Sequence, residues 1–165
     1  MKNILYNRGA AVEYAHRWAF ERNPQFGNFA GMGGNCANFA SQCIYAGVMV
    51  MNFTPVFGWY YRSLNDRTPS WSGVKYLYNF LIGNSGVGPW ATETDISAIQ
   101  PGDIIQISLF LPEFHHTLVV VSTGEIPSPA NILVAANSYD SDNRPLNTYA
   151  YSKIRFLHIE GARGW

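Results

Sequence analysis

The hydrophobic pattern of this chain changes period at Gln100-Pro101-Gly102-Asp103, and that change constrains the fold more than any other feature. Before this turn signal, apolar residues recur at helical spacing. After it, they fall into short strand-length blocks. Asn7 is a candidate N-cap for a helix reaching about Arg22, stopped by Pro24, with Ala11, Tyr14, Ala15, Trp18 and Ala19 as its apolar stripe. A Gly/Asn-rich loop from Gln25 to Asn35 leads to a second helix, Cys36 to Ala46, which Gly47 is placed to close. An aromatic-rich loop runs from Phe53 to Trp71. Ser72 then caps a third helix that turns Val74, Leu77, Tyr78 and Leu81 to the core and ends at Gly83. Beyond the turn, strands are predicted at Ile104 to Leu109, His115 to Ser122, Asn131 to Asn137 and Ser152 to Ile159. Gly124, Pro127 and Pro129 make the connection between the second and third of these a turn, so those two pair antiparallel. Helices first and strands afterwards predict an α+β fold, with helices packed on one face of an antiparallel sheet. No internal repeat or low-complexity linker divides the chain, so residues 1–165 are expected to form one domain.

Composition excludes several classes of function. Hydrophobic residues make up 47% and charged residues 13%, enough apolar material to bury a core. Formal net charge is zero, with eleven basic and eleven acidic residues and no basic patch, which argues against nucleic acid as a partner. No apolar run is long enough to span a membrane, and Met1 to Asn7 lacks the apolar stretch of a secretory leader. A monomer is expected. Aromatics reach 15%, which leaves Trp59, Tyr60, Tyr61, Trp71 and Trp90 as candidates for a substrate groove. The alternative reading packs them under the long loops.

The chemistry concentrates at Gly33-Gly34-Asn35-Cys36. Two glycines deliver a cysteine to a helix start, where free backbone N–H groups and the helix dipole favour a thiolate. A free cysteine taken alone is most often a small buried hydrophobe, so Cys36 needs a base to qualify as a nucleophile. Cys43 lies about 10 Å further along the same helix, too far to bridge to Cys36, and is expected in the core. A hairpin symmetric about its turn sets Ser122 against Asn131 and His116 against Asn137. His116 then becomes the base and Asn137 the group that orients its ring, a Cys–His–polar arrangement. Asp140 is the rival orienting group, and a turn residue is its plainer reading. His115 points to the other face, His158 reads as a satisfied core histidine, and His16 carries no signal. Asn35, Asn38 and Gln42 are candidate oxyanion donors beside the backbone N–H of Cys36. The run Asn137 to Asn143 lacks the Gly and closing Glu of a calcium loop, and the cysteines and histidines lack zinc-ligand spacing. No metal or organic cofactor is expected.

Tyr6-Asn7-Arg8-Gly9-Ala10-Ala11-Val12, Gly33 through Cys43, Ser70-Trp71-Ser72-Gly73-Val74, Gly102-Asp103-Ile104-Ile105-Gln106 and His116-Thr117-Leu118-Val119-Val120-Val121 occur in that order. Together they resemble the Putative amidase domain of many Gram-positive bacterial proteins, a relative of the NlpC/P60 and CHAP peptidoglycan hydrolases. The resemblance covers nearly the whole chain. It implies a papain-like α+β fold and cysteine-dependent amide hydrolysis, with Cys36 as nucleophile, His116 as base and cell-wall peptide or a related amide as substrate. Family members often carry Asp where this chain has Asn35, and His where it has Asn137. The expected catalytic set is therefore Cys36, His116 and Asn137, with Trp59, Trp71 and Asn35 toward the substrate. The competing readings are a glycan- or peptide-binding module on the same fold and a thiol acyltransferase.

Overall fold

The computed structural model describes residues 1–165. Its elements are β1 (Lys2–Ile4), α1 (Arg8–Trp18), α2 (Cys36–Val48), a small hairpin of β2 (Tyr61–Ser63) and β3 (Asp66–Arg67), α3 (Pro69–Ser72), α4 (Val74–Gly83), β4 (Gly88–Thr94), β5 (Ile104–Ser108), β6 (His116–Ser122), β7 (Leu133–Ala136), β8 (Ser141–Pro145) and β9 (Lys153–Gly164). Short 3₁₀ turns cover Ile96–Ala98 and Leu146–Thr148. The fold is mixed α and β, with few helices and an antiparallel main sheet.

That sheet has seven strands in the order β1-β9-β5-β6-β7-β8, with β4 on the other side of β9. The long strand β9 organises it. Phe156 to Arg163 pair with β4, Lys153 to Leu157 with β5, and Ala162 to Gly164 with β1. Alternation along the strands builds two cores. Val119, Val121, Ala135, Ile104 and Leu157 face the helices and join Ala15, Ala40, Cys43, Ile44, Trp59, Trp71 and Leu77. Leu118, Val120, Ile105, Val134 and Ala136 face the other way and are covered by Ile99, Ile132 and Leu146.

Helix α1 starts where its sequence predicts, with the Asn7 side chain accepting from the Ala10 N–H at 3.0 Å. It ends at Trp18, earlier than the pattern suggests. Gly47 does not close α2. The helix runs on to Val48 and ends at Met49, whose φ is 55°. Gly47 is needed for close approach instead: a Cβ there would lie 2.4 Å from the Tyr6 ring. Ser72 does not cap α4, because it belongs to α3 and Gly73 holds the cap position. The sequence pattern shows neither β4 nor β8, and it reads the β8 region as a turn. β8 is a polar edge strand, Ser-Asp-Asn-Arg-Pro, that buries no alternating face.

The hairpin register departs from symmetry in a way that reaches the site. Val119 pairs with Ala135 and Val120 with Val134, but Ser122 pairs with Leu133, so an irregularity lies between Val120 and Ser122. It moves the pairing by one residue relative to a symmetric turn. Continuing outward from Val119–Ala135 sets Thr117, not His116, against Asn137. A slip of one exchanges the two faces, so Asn137 is carried to the helix side of the sheet, away from the His116 ring.

Candidate active site

Cys36 is the first residue of α2 and is 7% exposed. Gly33 and Gly34 deliver it with φ values of 97° and 106°, a region that glycine enters freely. Three buried asparagines hold this approach. The Asn35 carboxamide oxygen accepts from the Phe29 N–H at 3.0 Å and from Asn38 Nδ2 at 2.9 Å, and its own Nδ2 donates to Asn137 Oδ1 at 2.6 Å. Asn137 Nδ2 donates to the carbonyls of Trp18 and Ala19 at the end of α1. Asn38 reaches the Gly27 carbonyl and accepts from Trp71 Nε1. The backbone N–H of Asn35 donates to Ser138 Oγ at 2.8 Å. The loop before the cysteine is thus tied to α1, to α3 and to the end of β7.

The expected roles of several residues change here. Asn137 is fully buried and spends its hydrogen bonds on Asn35 and α1, so it does not orient His116. Asn35 is likewise a buried clamp rather than a substrate contact. Trp59 and Trp71 have no exposed surface and form the centre of an aromatic core, so neither lines a groove. Asp140 pairs with Arg22 at 3.0 Å, which removes it as an orienting group. Cys43 is buried in the main core, and His158 Nδ1 meets the Asp103 carboxylate at 2.8 Å. His16 pairs with Asp142 on the surface. Replacing Asn137 by Ala strands the Asn35 amide without a partner, and the chain is expected to lose about 1–3 kcal/mol in a denaturant titration.

Cys36 and His116 border one cavity of about 290 Å³, together with Gly34, His115, Arg144 and Tyr149. The cavity lies beside the start of β6, where His115 and His116 line it. Thr117 lies beside the Cys36 sulfur, its N–H and hydroxyl close enough to favour the thiolate. His116 shares the opposite face with Leu118 and Val120, its ring centroid 6.0 Å from that of Tyr149. His116 Nε2 and the Tyr149 hydroxyl are both buried without a hydrogen-bond partner. His115 is turned aside, its Nε2 accepting from the Leu109 N–H at 3.1 Å. A larger cavity, about 690 Å³, lies near Met49 and Phe53 but is lined by no cysteine, histidine, aspartate or glutamate side chain.

Electrostatics set the resting protonation of the pair. Burial raises the Cys36 thiol above its ordinary value, and the N–H groups of Thr117, Ala37 and Cys36 only partly offset this. The expectation of a thiolate held by the helix dipole is therefore reversed: desolvation of the charge outweighs the dipole. Burial also pushes His116 down to about 4, helped by the charges of His115 and Arg144. The pair rests as thiol and neutral imidazole. Because the folded state holds His116 neutral, the unfolded chain takes up more protons between about pH 6.5 and 4, and stability falls as pH drops through that window. Urea titrations at pH 7 and pH 4.5 are expected to show this loss, about 2–3 kcal/mol, largely removed in His116→Asn.

The sequence did not point to Thr117, Ser138 or Tyr149. Thr117 and Tyr149 depend on a strand face and a distant 3₁₀ turn, which local pattern does not specify. Asn38 was the more readable one, three residues after Asn35 on the same helix face.

Residues 5–159 match the family model described as Putative amidase domain. The chain is 34% identical over 143 residues to the uncharacterized protein YhbB of Bacillus subtilis strain 168, a match covering 84% of this chain and 43% of that protein. The chain thus spans less than half the length of this relative. No solved structure matches.

Proposed function

Since the chain belongs to the Putative amidase domain family, we propose that it is a cysteine-dependent hydrolase of an amide or peptide bond on a papain-like fold, related to the NlpC/P60 and CHAP enzymes. One observation carries the mechanism: Cys36 at a helix start shares its cavity with His116, a neutral histidine whose Nε2 has no partner.

The proposed chemistry runs through these two groups. The two make no hydrogen bond at rest, so the proposed first step is a rotation of the His116 ring that brings its unpartnered nitrogen to the sulfur; His116 then removes the thiol proton as the sulfur attacks the amide carbon. The resulting oxyanion is held by backbone N–H groups at the start of α2, those of Cys36 and Ala37. Collapse of this intermediate breaks the carbon–nitrogen bond, and the departing amine takes the proton from His116. Water, deprotonated by His116, then cleaves the thioester and releases the acid and the free thiol. No step calls on a metal or organic cofactor. Cell-wall peptide is the proposed natural substrate, and residues 1–165 are proposed to act as one monomeric domain.

Amine release from peptide p-nitroanilides and from purified peptidoglycan peptides tests this reading. Hydrolysis that disappears in His116→Ala supports it. Binding of the same peptides without turnover in the wild type would favour the binding module instead.

A further inference from the structure

The cavity that holds Cys36 carries an unusual balance of charge. None of the residues lining it is acidic. Its cation is Arg144, and the guanidinium is fixed from three sides. Nε donates to Thr148 Oγ1 at 2.7 Å, Nη2 donates to the Thr148 carbonyl at 3.0 Å, and the group stacks 3.7 Å over the Tyr149 ring. Arg144 has no carboxylate partner, and of the four arginines without one, Arg67, Arg144, Arg155 and Arg163, it alone lines the cavity of Cys36. The ion pairs of the molecule use Arg8, Arg17, Arg22 and Arg62. Asp140 and Asp142, the nearest acids in sequence, are occupied by Arg22 and His16. Nη1 remains without a protein acceptor. A rigid guanidinium fork with a free edge matches a carboxylate, and little side-chain entropy is left to lose when one binds.

We propose that Arg144 is a substrate-binding residue and that the site selects amides bearing a carboxylate close to the scissile bond. This rests on Cys36 being the reacting atom of the cavity. A carboxylate seated on Arg144 also cancels a charge that disfavours protonation of His116, so an acidic substrate makes His116 a stronger base as it binds.

The test needs no knowledge of the natural substrate. Iodoacetate and iodoacetamide both alkylate a thiolate with loss of iodide, and they differ by one carboxylate. Their rate ratio at Cys36, read by peptide mass spectrometry and divided by the same ratio for N-acetylcysteine amide, reports the charge preference of the pocket. The wild type is expected to favour iodoacetate by about tenfold, as one fixed guanidinium–carboxylate contact provides. Arg144→Gln should bring the corrected ratio to about one, and Arg144→Glu should reverse it. Raising sodium chloride from 20 to 500 mM should erode the wild-type preference, a control that needs no variant. A corrected ratio near one in the wild type overturns the proposal. So does a preference that survives in Arg144→Gln, or a Cys36 that neither reagent reaches. The catalytic reading fails separately: amide hydrolysis retained in Cys36→Ala would refute it and leave the charge preference standing.

Discussion

Replacing Cys36 by Ala is expected to lower kcat/KM for amide hydrolysis on the order of 10⁴-fold or more, with the fold intact. The size of the effect follows from the position. Cys36 is the one cysteine bordering the cavity, and Cys43 has no access to it. Without the sulfur there is no thioester route. The side chain removed is small and lies at the rim of the core, so the melting temperature should move little. His116→Ala should fall by about 10²–10⁴-fold, the range of a general acid–base group. The double variant should be hardly worse than Cys36→Ala alone, because in the proposed mechanism the two act as a unit. In wild-type enzyme the acid limb of kcat/KM should lie near pH 4, where burial places the His116 ring. A limb near pH 6.5 would mean that the ring is solvated during turnover.

Trp71→Ala is expected to cost about 3–5 kcal/mol in a denaturant titration, the usual range for emptying a large buried aromatic site. Trp71 packs on Trp59 at 4.6 Å, Phe26 at 5.6 Å, Tyr61 at 6.1 Å and Tyr45 at 6.2 Å between ring centroids. Its Nε1–H donates to Asn38 Oδ1 at 2.9 Å, and Ser41 donates to its carbonyl. Removing the ring leaves a cavity and an unpaired buried carboxamide oxygen together. Asn38 is one link of the clamp that holds Asn35, so the approach to Cys36 should loosen as well. Activity is therefore expected to drop through a smaller kcat rather than a raised KM. A substrate-groove residue would behave in the opposite way, raising KM at nearly unchanged stability.

The sequence was most readable where local chemistry decides the structure. The Asn7 cap, the start of α2 at Cys36, and the four predicted strands after Gly102 each depend on neighbouring residues and on a regular hydrophobic period. It was least readable where a distant contact decides. Gly47 looks like a helix terminator, yet the packing of Tyr6 requires it inside α2. The hairpin looks symmetric, yet an irregularity between Val120 and Ser122 moves Asn137 to the other face. Trp59 and Trp71 could be assigned to a groove or a core on composition alone, and only burial separates the two. The thiolate expectation failed because the dipole of α2 can be read from sequence, whereas the desolvation that outweighs it cannot.

The central claim is that Cys36 forms the bond to the acyl carbon. Acid quenching during turnover of the peptide p-nitroanilide that the protein hydrolyses best, followed by peptide mass spectrometry, measures this directly. The account predicts a thioester at Cys36 carrying the acyl half of the substrate, and none at Cys43. Continued hydrolysis in Cys36→Ala, with no acyl mass on any cysteine of the wild type, would contradict it.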